Sequence, residues 1–213
     1  VQTFNVSSTK PLTQQNSMKR QYLFFLSGAL LIIATYIFVQ FLAAHEVRVD
    51  TSGWLFNDHI FVILPRWDCS LPIFSITYGS LLLYFILERK KELFLSKLML
   101  AYTLMLLLRI LTLSLLPLKE SGDIIYLQDP FLNNLIYPGE IDSDLFFSGH
   151  TGLILIFFFL SKKWIFAILA GTIGLLLMIQ RVHYSIDIIA ALPFSYLIVK
   201  LVTFLTSKLI RNL

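Results

Sequence analysis

The chain has 213 residues, 57% hydrophobic, 15% aromatic and only 14% charged, with a formal net charge of +4 and a mean hydropathy of +0.77. A soluble domain carries about a quarter charged residues; here the charges bunch between apolar blocks, which excludes an ordinary soluble domain and points to a polytopic membrane protein. The positive excess is then a topology signal and not a nucleic-acid footprint, and the lone Cys69 excludes an intrachain disulfide and a multi-cysteine metal site.

Residues 1–20 read as a polar tail, because 1–17 hold no acidic residue and show no apolar period. A membrane-crossing helix needs about 20 mostly apolar residues, and Tyr22–Ala44 meets that without an internal charge. Lys19 and Arg20 before it imitate a signal peptide, but the apolar run is too long for one. Ser70–Leu87 is the second expected span, stopped by the run ERKKE, and Leu93–Leu116 the third, with Arg109 inside it. Leu145–Leu160 is a short fourth, Trp164–Gln180 a fifth, and Ile186–Thr206, which includes Pro193, a sixth. The expected fold is an all-α integral membrane domain over 21–213, six transmembrane helices with both termini on one side.

The basic residues set the orientation. Lys10, Lys19, Arg20, Arg89, Lys90, Lys91, Lys97, Lys162, Lys163, Lys200, Lys208 and Arg211 fall on the side of the termini; Arg48, Arg66, Lys119 and Arg181 fall on the other. The positive-inside rule puts both termini in the cytoplasm and turns the loops at 45–69, 117–144 and 181–186 outward.

Ionisable residues at membrane depth are costly, which makes them functional candidates. Here they collect on the outward side in three groups. Asp144, Ser148, His150 and Thr151 open the fourth span in DLFFSGHTG; Arg181, His183, Tyr184, Ser185 and Asp187 lie in RVHYSID; Arg109 and Thr112 lie near the outer end of the third span. His183 and Asp187, four apart, share a helix face. A carboxylate on one ring nitrogen fixes the tautomer and leaves the other a basic lone pair, which prepares a nucleophile. Gly149 permits close backbone approach, Ser148 offers a hydroxyl and an amide, and the following helix N-terminus suits phosphate. His150 can exchange a proton with a departing or incoming oxygen, and Arg109 or Arg181 can clamp phosphate oxygens. The sum describes phosphoryl transfer through a phosphohistidine. Taken singly, Asp144 reads as a helix cap and Arg109 as a snorkelling side chain, although Arg109 lies about 12 Å of helical rise before Pro117. Zinc held by His150, His183 and Asp187 is a weaker alternative, because it leaves the serine, glycine and arginines without a task.

SGHTG followed by RVHYSIDIIAA resembles the type 2 phosphatidic acid phosphatase superfamily, most closely its sphingomyelin synthase-related branch. Phe147 stands where the superfamily's second histidine motif usually has proline, and the D-x-x-x-S-G-H-T form from Asp144 to Thr151 is similar to the synthase branch. The arginine usual six residues before the third-motif histidine is Leu177 here, while Arg181 matches the R-x-H-Y-[ST]-x-D form of the synthases. RILTLSLLPL, from Arg109, resembles their arginine–threonine motif with different spacing to Pro117, and LPRWDCSLP, 64–72, is a weaker echo of the motif at the second span. The resemblance runs from about residue 55 to residue 200.

The resemblance implies a six-span fold, a site on the exoplasmic face (periplasmic or lumenal) and no metal or other cofactor. It implies that His183 attacks phosphorus, Asp187 supports it, and His150 serves the leaving group and then the acceptor. The expected phosphate-binding residues are Ser148, Gly149, Arg181 and Arg109, with Asp144, Thr151 and Tyr184 in support. The expected partners are phospholipid or sphingolipid substrates and no nucleic acid. The motifs lean toward transfer of a phospho-head group to ceramide or diacylglycerol. The short tail, against the long cytosolic extensions usual in eukaryotic members, leans toward a phosphatase acting on phosphatidic acid-like or lipid pyrophosphate substrates. A non-catalytic lipid-binding scaffold is the reading from another class, opposed by the intact His150, His183 and Asp187.

Overall fold

The computed structural model describes residues 12–129 and 144–212, without the side chains of 12–16, 50, 51 and 212. The first half of the expected tail with Lys10, and residues 130–143 of the outward 117–144 loop, lie outside the described residues. Within them the chain forms six helices, α1 Leu12–Ser52, α2 Ser70–Glu88, α3 Phe94–Leu115, α4 Gly149–Ser161, α5 Trp164–Ile179 and α6 Ser185–Asn212. A two-residue parallel bridge pairs β1 (Trp54–Leu55) with β2 (Leu118–Lys119). The chain is an all-α membrane protein: α1, α2, α3 and α6 are each long and apolar enough to cross a bilayer, whereas α4 and α5 are shorter apolar helices.

Four boundaries differ from the sequence reading by four residues or more: α1 starts earlier and runs to Ser52 instead of Ala44, so that 45–52 of the expected 45–69 loop are helical, α4 starts later, and α6 continues to Asn212 instead of Thr206. Helix α1 begins at Leu12, so the latter part of the expected tail is helical, and it is fastened at that end by the Arg20–Glu92 ion pair at 2.6 Å and by Lys19 donating to the Ile210 carbonyl at 3.4 Å. Helix α1 stops where Gly53 lets the chain turn tightly: a Cβ there would stand 2.7 Å from the Val49 carbonyl oxygen and 2.9 Å from Lys119 Cγ. Helix α4 begins at Gly149, not Leu145. Leu145 and Phe147 are buried but not helical, so the apolar run marks burial there and not a helix.

Helix α4 is the axis of the bundle, touching α2, α3, α5 and α6. Its Ile154, Ile156 and Phe157 are fully buried with Phe166, Ile173 and Leu177 of α5 and Ala191 and Val202 of α6. Gly152 makes the close approach possible: a Cβ there would meet Met105 Sδ and Phe147, both at 3.3 Å, and Ser195 Oγ, which donates to the Gly152 carbonyl at 3.1 Å. Helix α1 lies outside this core and packs on α3 through Ala34, Phe38 and Leu42 against Leu106 and Leu113.

The shortness of α4 positions the site. Thirteen residues rise about 20 Å, short of the hydrocarbon thickness of about 30 Å. Helix α3, beside it, continues from Arg109 to Leu115, about 9 Å past the level where Arg109 meets Gly149. Residues 144–147 lead into α4 without helical structure, with Leu145 and Phe147 buried.

Candidate functional site

The two histidine motifs meet at the start of α4. The Ser148 amide donates to the backbone carbonyl of Asp187 at 3.2 Å, which locks the start of α4 to the first turn of α6. Ser148 is fully buried and its hydroxyl caps α4, accepting from the Thr151 amide at 3.4 Å. The hydroxyl that the sequence offered to a ligand is therefore already engaged with its own helix.

His183 and Asp187 are paired. His183 Nδ1 lies 3.3 Å from Asp187 Oδ2, and the same oxygen accepts from the Tyr184 amide at 2.9 Å. Asp187 is wholly buried and His183 nearly so. Donation from Nδ1–H to the carboxylate leaves Nε2 as the ring nitrogen with the lone pair. His150, half-buried, lies edge-on to the Phe74 ring at 5.7 Å and within electrostatic reach of His183, Arg109, Asp144 and Asp129.

Arg109 is buried in α3 and makes an ion pair with Asp144. Its guanidinium also donates to the Asp144 carbonyl at 3.3 Å and lies 5.3 Å from the Phe38 ring centre. Its Nη1 presses on Gly149, where a Cβ would collide with it. One turn later, Thr112 Oγ1 donates to the Phe146 carbonyl at 3.1 Å. Asp144 thus pairs with Arg109 instead of capping α4, and Arg109 points into protein instead of snorkelling. An arginine carried this deep is costly without a partner, and Asp144 supplies one.

Arg181, at φ 66°, turns the other way. Its Nη2 donates to the carbonyls of Phe61 at 2.6 Å and Leu64 at 2.9 Å, and its plane stacks on Phe61 at 4.4 Å. Its Nε is 3.5 Å from the Asp123 carboxylate without an aligned hydrogen bond. Tyr184 is structural as well: its hydroxyl donates to the Lys119 carbonyl at 2.9 Å and its ring sits between Phe56 and Phe61. Burial, with the Asp187 charge next, pushes the Tyr184 phenol up to about 12, which keeps it a donor. The Ser185 side chain is half-buried, while its amide donates to Asp58 Oδ2 at 2.5 Å.

Several buried polar atoms of these motifs and of α3 are unpaired. Arg109 Nε, Arg181 Nε and Nη1, Thr151 Oγ1 and Asp187 Oδ1 lack hydrogen-bond partners. Buried polar groups are rarely left so, and three of these atoms are cationic donors suited to an anion. Among the described residues no three His, Cys, Asp or Glu side chains are placed to share a metal ion.

Sequence reasoning missed two supports and one buried histidine. Asp58 caps two elements, accepting from Ser185 at the start of α6 and from the Ile60 amide at 3.0 Å. Gln180, fully buried, accepts from the Cys69 amide at 2.9 Å and donates to Ser70 Oγ at 2.8 Å and the Tyr126 carbonyl at 3.3 Å. A glutamine closing an apolar span was the available signal. His45 is buried on α1, stacked on Phe41 at 5.2 Å, with both ring nitrogens unpaired and the Asp144 charge nearby. The 64–72 stretch has local work: Asp68 accepts from the Ser70 amide at 2.9 Å, and Ser70's amide and hydroxyl hold its carboxyl below the usual range. Cys69 is buried, which raises its thiol pKa.

No protein-family model, no curated protein and no solved structure matches this chain.

Proposed function

We propose that the chain is a membrane-embedded lipid phosphate enzyme of the type 2 phosphatidic acid phosphatase superfamily, sphingomyelin synthase-like, transferring a phospho-head group between lipids through a phosphohistidine. The observation that carries this is the His183–Asp187 pair hydrogen-bonded through the Asp187 backbone to the start of α4, with the Arg109 guanidinium against Gly149. A nucleophile, its orienting carboxylate, a helix N-terminus and a cation then converge on one place, as phosphoryl chemistry requires.

In the first step Nε2 of His183 attacks phosphorus and the bond from phosphorus to the lipid oxygen breaks. His150 gives its proton to that oxygen. In the second step His150 takes the proton of an acceptor hydroxyl, whose oxygen attacks phosphorus as the P–N bond breaks. A ceramide or diacylglycerol hydroxyl gives transfer; water in the same position gives hydrolysis. Arg109 and the α4 amides meet the phosphate charge, while Arg181, held by the Phe61 and Leu64 carbonyls, is not assigned that role.

The same reading makes α4 and α5 the fourth and fifth of six spans, each completed by loops buried in the bundle. Both termini are cytoplasmic and the site faces the exoplasmic side, as the basic-residue bias supports. The test is a lipid-product assay with purified protein, comparing released phosphate with head group transferred to an added ceramide or diacylglycerol. Transfer with an acid-labile, alkali-stable phosphoenzyme is the expected result. Dominant phosphate release makes the chain a phosphatase, and neither product under any head group sinks the enzyme reading. Activity lost to EDTA and restored by zinc would replace the phosphohistidine by a metal centre.

A further inference from the structure

The segment between α1 and α2 is apolar and turned outward. Trp54 and Leu55 are each 71% exposed, Val62 84%, Ile63 80% and Trp67 65%. Five large apolar side chains over fourteen residues form a patch that needs a cover. The opposite aspect of the segment is fastened to the catalytic-histidine loop. Asp58 accepts from the Ser185 amide, Arg181 holds the Phe61 and Leu64 carbonyls, and Tyr184 lies between Phe56 and Phe61. The residues flanking His183 on both sides are therefore bonded to this segment.

Its height in the bundle identifies the cover. Helix α4 spans about 20 Å and α3 overshoots its start by about 9 Å, together matching a hydrocarbon core of about 30 Å. Leu118, three residues beyond the end of α3, pairs with Trp54, so the segment begins at the far hydrocarbon boundary. Tryptophans near both ends, apolar Val62 and Ile63 between them, and exposed Asn57, His59, Arg66 and Asp68 are the composition of an interfacial element.

We propose that residues 54–67 form a strap embedded in the adjacent lipid leaflet, and that this seating holds the His183 loop in its working geometry. Trp54, Leu55, Val62, Ile63 and Trp67 lie among the upper acyl carbons, while the polar residues reach the headgroups. The catalytic histidine is thereby braced against the membrane as well as against the protein. The second half of this statement rests on the enzyme reading above; the first does not.

The test uses the full chain carrying Trp164→Phe, which leaves Trp54 and Trp67 as the fluorophores, reconstituted in phosphatidylcholine vesicles. Lipids brominated high on the acyl chain should quench at least twofold more than lipids brominated near the chain end, and external iodide should quench little. Strong iodide quenching with none from brominated lipid overturns the proposal. Val62→Asp/Ile63→Asp should raise iodide quenching and lower kcat about tenfold on both a long-chain phospholipid and a monomeric short-chain analogue, while Cys69 stays protected from thiol reagents as a check on folding. Unchanged quenching and kcat in that variant also overturn it. So does a dimer in detergent that the double variant converts to monomer, because a second copy would then be the cover. If no lipid phosphate is turned over by the parent protein, the enzyme reading fails while the quenching still decides the location of the strap.

Discussion

Gly149 has the Arg109 guanidinium where a side chain would stand. Gly149→Ala must push that guanidinium off the helix start and strain its pairing with Asp144. We expect a loss of about 1–3 kcal/mol from overpacking, read by thermal unfolding, and a larger fall in turnover than a peripheral substitution of equal cost. His183→Ala should abolish turnover in a protein that still folds; unchanged activity would refute the mechanism. Asp187→Asn keeps the shape but loses tautomer control, so its loss should be severe yet incomplete, about 10⁴-fold by analogy with other oriented histidines, measured as kcat. At this scale much was readable from the chain. The four-residue spacing of His183 and Asp187 foretells their contact, although not its form: His183 lies in the loop before α6 and reaches Asp187 in the first turn, so the two do not share a helix face. The partner of Arg109 was not readable, because Asp144 is remote in sequence and its place before an apolar run suits a cap equally well. Nor was the role of Arg181, whose positive φ aims it at carbonyls of a segment that no local pattern connects to it.

Among the elements, the 181–184 loop is held by groups from three separate stretches. Asp58, Gln180 and the Ser121 hydroxyl, which donates to the Arg181 carbonyl at 3.1 Å, fix its two ends. Asp58→Ala removes a cap and should cost about 1–2 kcal/mol. Gln180→Leu leaves the Cys69 amide unpaired and should cost about 1–3 kcal/mol. Both are checked by unfolding in detergent, and both should lower kcat although neither side chain belongs to the proposed chemistry. Unchanged kcat with lowered stability would show that the loop keeps its shape without them. The helix bodies were legible because apolar runs of the required length leave few alternatives. Their ends were not: the Leu145–Phe147 stretch is buried in an irregular conformation, and hydrophobicity cannot distinguish that from a helical turn.

For the molecule as a whole, Cys69 gives a clean background on which to test orientation. Buried, with its thiol pKa raised, Cys69 should resist maleimide in the folded protein. Asn57→Cys, in an exposed position, should label from outside intact cells, and Lys162→Cys only after permeabilisation; the reverse pattern would invert the topology. Basic-residue bias made this expectation available from the sequence, since it depends on counting residues and not on contacts.

The brevity of α4 and α5 also bears on how the protein is made. The two helices meet across Lys162–Lys163, and neither matches the bilayer thickness. Helix α4, walled by four neighbours, has little surface with which to face lipid alone. The pair should therefore enter the membrane as one hairpin: in a glycosylation-mapping insertion assay, residues 144–161 alone should fail to integrate, and 144–180 should succeed. His150 would then meet His183 only after α6 leaves the ribosome, so that the proposed site is complete only in the finished chain.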